Sequence, residues 1–215
     1  MKKLDRFFFI CGILMFISEI WKQCILTFVL GQGHYNWWYF PFQLCSLAMY
    51  LCLSLPLFSS ERVHLAIYTF LMTYSLMGGI FVFFDTSGMH YPLAVLTIHS
   101  YVWHICLIGI GITAGISLLG KLTARAMADC TCIFFLSCLL ATLLNMILVR
   151  LGDINMFYIS PYYRMSQVFF RNIAQLTGNG FGILFYIFTV FAGGWLFFLL
   201  WFLLGKRFHL RHHCS

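Results

Sequence analysis

The sequence predicts an all-α, polytopic membrane bundle of about six transmembrane helices, forming one domain over residues 1–215. Three observations carry this expectation. Hydrophobic residues make up 62% of the chain and charged residues 9%, whereas about a quarter of a soluble domain is charged. Apolar stretches long enough to cross a bilayer recur along the whole chain. The basic residues gather at the ends of those stretches, so the balance of 13 Lys+Arg against 6 Asp+Glu reports orientation rather than a nucleic-acid surface. An outer-membrane barrel would instead show short alternating strands.

The spans are expected at 7–30, 41–59, 63–84, 92–119, 126–149 and 180–205. The first exceeds a signal-peptide core and has no A-x-A-like cleavage site, so it is expected to remain as a span. An even number of spans puts both termini on one side. Lys2, Lys3, Arg6, Arg62, Lys121, Arg125, Lys206, Arg207 and Arg211 then share a face, opposite Arg150, Arg164 and Arg171. The positive-inside rule makes the first face, and with it both termini, cytoplasmic. The cell membrane is the default location. Aromatic connections flank the outer ends, with Trp37-Trp38-Tyr39 before the second span and Tyr158, Tyr162 and Tyr163 after the fifth. Such rings settle at headgroup level. Within the long connection 150–179, Met165, Val168, Phe169, Ile173 and Leu176 recur at roughly helical spacing. That suits a short interfacial helix before the last span, or equally a loop packed on the bundle.

Polar groups inside the apolar runs are the candidates for chemistry. Counted inward from the outer span ends at a rise of about 1.5 Å per residue, Cys45 and Asn145 lie roughly 6 Å deep and His99 roughly 10 Å. Lys22 lies roughly 12 Å and Glu19 roughly 16 Å deep. These groups belong to separate spans and share the outer half. Glu19 and Lys22 are three apart, hence on one helical face. Either they form a structural ion pair, or they supply a supporting charge to a site. Pro41 suits the first turn of the second span, which places Cys45 about one turn in, near unpaired backbone N–H groups that favour a thiolate. A simple packed thiol is the alternative. Gln43, two residues earlier, reaches Cys45 only if that first turn is irregular.

His99 and His104 share the fourth span but are five residues apart and do not share a face. No other span offers an interior histidine, so haem is not expected; His34, His64 and His90 are expected in loops. The tail His209, His212, His213 reads as a basic interfacial end. Most of the nine cysteines, including Cys11, Cys24, Cys52, Cys106, Cys132 and Cys138, sit in apolar runs as small hydrophobes. No CxxC pair occurs, and Cys130-Thr-Cys132 lacks zinc spacing. No metal and no cofactor is expected. In the third span Tyr74, Gly78, Phe81 and Asp85 share a face, Gly78-Gly79 allowing close helix contact. Asp85 is expected to tether the loop Thr86-Ser87-Gly88. Asn145 is expected to pack or to help stabilise an oxyanion.

The stretch Phe40-Pro41-Phe42-Gln43-Leu44-Cys45-Ser46 resembles the Pro-Phe-His/Gln-Leu-Cys motif of the YwaF-like integral membrane family, which includes an animal branch of cysteine-dependent transmembrane phospholipid acyltransferases. The resemblance continues through Tyr74 to Gly79, Asp85-Thr86-Ser87-Gly88, Ile98-His99-Ser100, Asn145, and Asn155-Met156-Phe157-Tyr158 with Pro161-Tyr162-Tyr163. It departs at Asn155-Met156, where the family often has a tyrosine between the two. The resemblance implies a six-span fold, with an acyl-carrying cysteine at Cys45 and its histidine partner at His99.

The resulting expectation is a lipid-modifying enzyme. Cys45 acts as nucleophile and His99 as base, transferring or hydrolysing a phospholipid acyl group through a thioester. Glu19, Lys22, Gln43 and Asn145 are expected to support them. Arg164, Arg171, Asn155 and Tyr158 are weaker candidates for holding the lipid, the arginines through its phosphate. Expected partners are membrane phospholipid and lysophospholipid and no nucleic acid, with a homo-oligomer left open. Two alternatives stand beside this: a small transporter or lipid-binding protein built on Glu19 and Lys22, and a structural membrane protein without chemistry.

Overall fold

The structure, a computed structural model, describes residues 2–213 and their side chains as far as Arg207. The side chains of Arg211 and of the tail His209, His212 and His213 lie outside the described residues. Among the described residues, seven helices longer than a single turn follow one another: α1 (Lys3–Leu30), α2 (Leu44–Leu57), α3 (Glu61–Phe84), α4 (Ala94–Ser117), α5 (Ala124–Leu148), α6 (Val168–Thr177) and α7 (Asn179–His213). No strand occurs among the described residues. Five of the helices, α1, α3, α4, α5 and α7, are long and apolar enough to cross a membrane, the mark of an integral membrane protein.

The second apolar stretch behaves differently from the expectation of a span over 41–59. Its helix begins at Leu44, not at Pro41, and ends at Leu57. Fourteen residues rise about 21 Å, less than the roughly 30 Å of a hydrocarbon core. The late start has a local cause. Gln43 is extended and its side chain is committed to another loop, so helical geometry sets in only after it, through a 3-10 turn at Leu44–Ser46.

α1 lies along the edge of the bundle and buries one stripe, Asp5, Phe8, Gly12, Met15 and Glu19, at alternating three- and four-residue spacing. That stripe packs on α2, and a Cβ on Gly12 would stand 2.9 Å from the Cys52 Cβ. The rest of α1 is exposed and apolar, including Leu14, Ile17 and Phe28.

α3 is the most deeply enclosed of the long helices. A π-helical segment, Leu71–Ser75, interrupts it. The extra residue of such a bulge frees a carbonyl, and the indole of Trp201 on α7 donates to the Met72 oxygen at 3.1 Å. Below the bulge α3 packs chiefly on α5; above it, chiefly on α4. Tyr74, fully buried, stacks on Phe134 of α5 with ring centroids 4.7 Å apart. Close approach to α4 is made at Gly79, against Ile108, Leu107 and the His104 carbonyl, and at Gly111, against Leu76. Gly78 faces open space.

The two ends of the bundle differ in chemistry. At one end Lys2 pairs with Glu61 at 2.5 Å and Arg62 with Asp129 through two hydrogen bonds of 2.5 and 2.6 Å. Gly205 meets Gly120 there. Asp5, buried at this end, accepts from the Lys2 backbone N–H at 3.0 Å and from the Tyr68 hydroxyl, with His64 Nδ1 at 3.3 Å. His64 thus sits in the first turns of α3 rather than in a loop. The opposite end holds the connections 31–43, 85–93 and 149–167 together with α6. Asp85 accepts from the Ser87 N–H at 3.1 Å and so tethers its loop as expected. α6 forms within the expected connection and docks on α7, where a Cβ on Gly182 would stand 2.4 Å from the Ala174 Cβ. Its outer face leaves Phe169 and Leu176 exposed, Leu176 at 87%.

Candidate functional site

The polar residues of α1 are committed to one another. Glu19 and Lys22 form an ion pair of 2.8 Å, with Glu19 only 3% exposed. Three- and four-residue spacing puts Lys22 on the same buried stripe as Glu19. Gln23 completes the group. Its amide nitrogen donates to Glu19 Oε1 and to the Tyr39 carbonyl, both at 2.7 Å. Two acceptors fix the orientation of that amide. Beside Glu19 and Gln23 a groove of about 260 Å³ opens between α1 and α2, its surface almost wholly apolar, with Phe16, Ile20, Pro41 and Met49 among its walls.

The field of the Glu19–Lys22 pair reaches both the Cys45 thiol and the His99 ring. The ion pair thus acts on both candidates, while His99 Nε2 and the Cys45 thiol make no hydrogen bond to each other. Cys45 sits in the first, 3-10 turn of α2 and is partly buried. His99, on the second turn of α4, lies beside Ser18, with Trp21 and Trp103 at ring-centroid distances of 5.6 and 5.8 Å. Its Nε2 is buried and has no hydrogen-bond partner. A buried unpaired ring nitrogen costs about 1–3 kcal/mol, which makes it notable in a span already short of polar groups. His104 differs, since its Nδ1 is satisfied by the Ser100 carbonyl at 2.7 Å.

The other sequence candidates converge on a single turn. Asn145 is fully buried and holds Met156 at both ends: its Oδ1 accepts from the Met156 N–H at 2.6 Å and its amide donates to the Met156 carbonyl at 3.1 Å. Gln43 does the same across the next peptides, donating to the Asn155 carbonyl at 3.1 Å and accepting from the Phe157 N–H at 2.8 Å. Asn155 Oδ1 accepts from the Ser160 N–H at 3.0 Å. Both side chains thus clamp the backbone of this turn, each through its carbonyl oxygen and one of its two amide N–H donors. The turn they hold is strained, with Phe157 and Tyr158 at φ of 57° and 60°. Left-handed backbone costs about 1–2 kcal/mol per ordinary residue. The Phe157 ring stacks on Phe42, three residues before Cys45, at 5.6 Å.

The turn presents Tyr158. Its hydroxyl stands over Gly88, where a Cβ would come within 3.3 Å. Charge on a Cys45 thiolate would act on Tyr158, Tyr91 and Tyr186. Tyr91 and Tyr186 were not singled out from sequence, because an aromatic before a proline and one inside the last span both read as ordinary interfacial or packing residues. Arg164 and Arg171 are exposed; the charge of Arg171 acts on Asp85. Among the described residues no group of His, Cys, Asp or Glu is arranged to hold a metal ion. No family model, curated protein or solved structure matches the chain.

Proposed function

We propose that the chain is a six-span membrane enzyme that transfers an acyl group of a phospholipid through a thioester on Cys45. The observation that carries this reading is that one ion pair acts on both a helix-start thiol and an imidazole whose buried Nε2 has no hydrogen-bond partner. The motif around Cys45, which resembles that of the cysteine-dependent acyltransferases, points the same way.

The chemistry runs in two halves. His99 Nε2 takes the Cys45 proton, and the sulfur attacks the ester carbonyl carbon. The carbon–oxygen ester bond then breaks, the lysophospholipid alkoxide recovers the proton from His99, and the acyl group remains on sulfur. In the second half His99 takes the proton of a second lipid's hydroxyl, whose oxygen attacks the thioester. The thiolate leaves and regains that proton. Water in place of the second lipid gives hydrolysis. Both termini are read as cytoplasmic, on the strength of the basic residues gathered at one end. The site then faces the outer leaflet, near the ester bonds. Arg164 and Arg171, exposed at that end, are suited to a lipid phosphate.

The experiment is a thioester trap. Purified protein in liposomes is incubated with phosphatidylcholine labelled in its acyl chain. A hydroxylamine-sensitive label is expected on the wild type and absent from Cys45→Ala and His99→Ala. Label that persists on Cys45→Ala refutes the reading. A second reading, lipid binding or transport, draws on the buried pair beside the groove. It gains if lipid uptake survives Cys45→Ala and fails on Glu19→Gln.

A further inference from the structure

Attack by Cys45 creates an oxyanion, and Asn145, the side chain first expected to help meet it, is engaged in clamping the 155–157 turn. Gln43 clamps the same turn. What they achieve together is to force two consecutive non-glycine residues into left-handed backbone. Strain held by that many bonds calls for a purpose. Its consequence is the placement of one side chain, that of Tyr158, which no sequence periodicity would direct there.

We propose that the Tyr158 hydroxyl is the hydrogen-bond donor to the oxyanion formed when Cys45 attacks an acyl ester. The inference rests on the reading of Cys45 as a nucleophile. As the carbon–sulfur bond forms, the carbonyl π pair moves onto oxygen, and the phenol donates to that oxygen without surrendering its proton. When the ester bond breaks, the pair returns and the hydrogen bond slackens. A donor aimed at charge that exists only in the intermediate accelerates the reaction rather than merely binding substrate.

Four observations support this assignment. The turn is anchored through Gln43 and through the Phe42–Phe157 stack to the residues immediately preceding Cys45, so thiol and phenol belong to one rigid unit. Charge on a Cys45 thiolate acts on the phenol. Gly88 leaves room over the hydroxyl that a larger residue would take. Burial pushes the Tyr158 hydroxyl pKa up, so it remains a donor at neutral pH. Tyr91 and Tyr186 also lie within reach of the thiol but stand on backbone that nothing strains.

The test measures single-turnover acylation of Cys45 in liposomes containing labelled phosphatidylcholine, comparing wild type with Tyr158→Phe, Tyr91→Phe and Tyr186→Phe. Tyr158→Phe is expected to slow acylation on the order of 100-fold, the scale of losing one oxyanion donor, while the other two change it little. Alkylation of Cys45 by iodoacetamide passes through no oxyanion and is expected to proceed equally in wild type and Tyr158→Phe. Wild-type acylation rates in Tyr158→Phe overturn this role alone. A parallel loss of acylation and alkylation also overturns it, showing that the phenol only positions the thiol. A wild type that never acquires label overturns the nucleophile reading and this role with it.

Discussion

Replacing Asn145 by alanine tests the physical logic of the 155–158 turn. Gln43 and Asn145 together place four hydrogen bonds on that turn. At a net value of about 0.5–1.5 kcal/mol each, they supply roughly 2–6 kcal/mol. Against them stand two left-handed residues at about 1–2 kcal/mol apiece, roughly 2–4 kcal/mol in all. With Asn145 removed, the remaining two bonds supply roughly 1–3 kcal/mol, no longer enough to hold the strain. Met156 also loses the acceptor for its N–H and one of the two donors to its carbonyl, which keeps the Ile159 N–H. The turn is therefore expected to open by about 2 kcal/mol more readily, which is roughly a thirtyfold rise in exchange at ten per 1.4 kcal/mol. Hydrogen exchange read by mass spectrometry should show that rise over 155–160, while the Tyr74–Phe134 region of α3 and α5 stays protected. Asn145→Asp keeps the acceptor and loses the donor, and should fall between. Unchanged protection over 155–160 in Asn145→Ala refutes the account, because it would mean the turn needs no staple.

Glu19→Gln leaves Lys22 without its anion inside an apolar helix, and should cost about 3–5 kcal/mol in thermal unfolding measured in detergent; adding Lys22→Met should restore most of it, since a missing pair is cheaper than a broken one. Gly111→Val would drive a side chain into Leu76 and the Leu71 carbonyl and should destabilise by about 1–3 kcal/mol, whereas Gly109→Ala, two residues away and facing open space, should leave the unfolding midpoint unchanged or slightly raised. Hydrogen bonds from Ser87 hold the Asp85 carboxyl below its usual range, so its tether is fully present above the ordinary carboxylate pKa and is lost as pH falls through the lower folded value. Exchange of the Ser87 amide should accelerate over that acidic window beyond its intrinsic pH dependence in wild type and not in Asp85→Asn.

Much of this architecture was legible because hydrocarbon imposes simple rules. Continuous apolar runs with basic ends located five long helices to within a few residues, save that α7 runs on to His213 beyond the expected end at 205, and the three-residue spacing of Glu19 and Lys22 put them together on the inward stripe. Asp85 followed from ordinary loop chemistry. What escaped was everything decided by contacts distant in sequence. Pro41 reads as a helix start, yet Gln43 is drawn to a loop 112 residues away, and α2 begins late as a result. Gly78 and Gly79 are indistinguishable as letters; the π-bulge ahead of them determines which one meets α4. Asn145 and Asn155 look alike as polar groups near a span end, and no spacing rule announces that both are consumed in holding one short turn. Tyr158 gains its position from left-handed backbone, which sequence patterns built on helix and strand periods do not describe.

A regular helix offers each neighbour a stripe that continues along its length. The five-residue interruption in α3 shifts the azimuth of everything beyond it by about one residue's turn, roughly 100°. One helix thereby serves two partners in succession, α5 near its beginning and α4 near its close, without a proline. Excising a single residue there would restore ideal winding and turn Gly79 away from the helix it was shaped to touch.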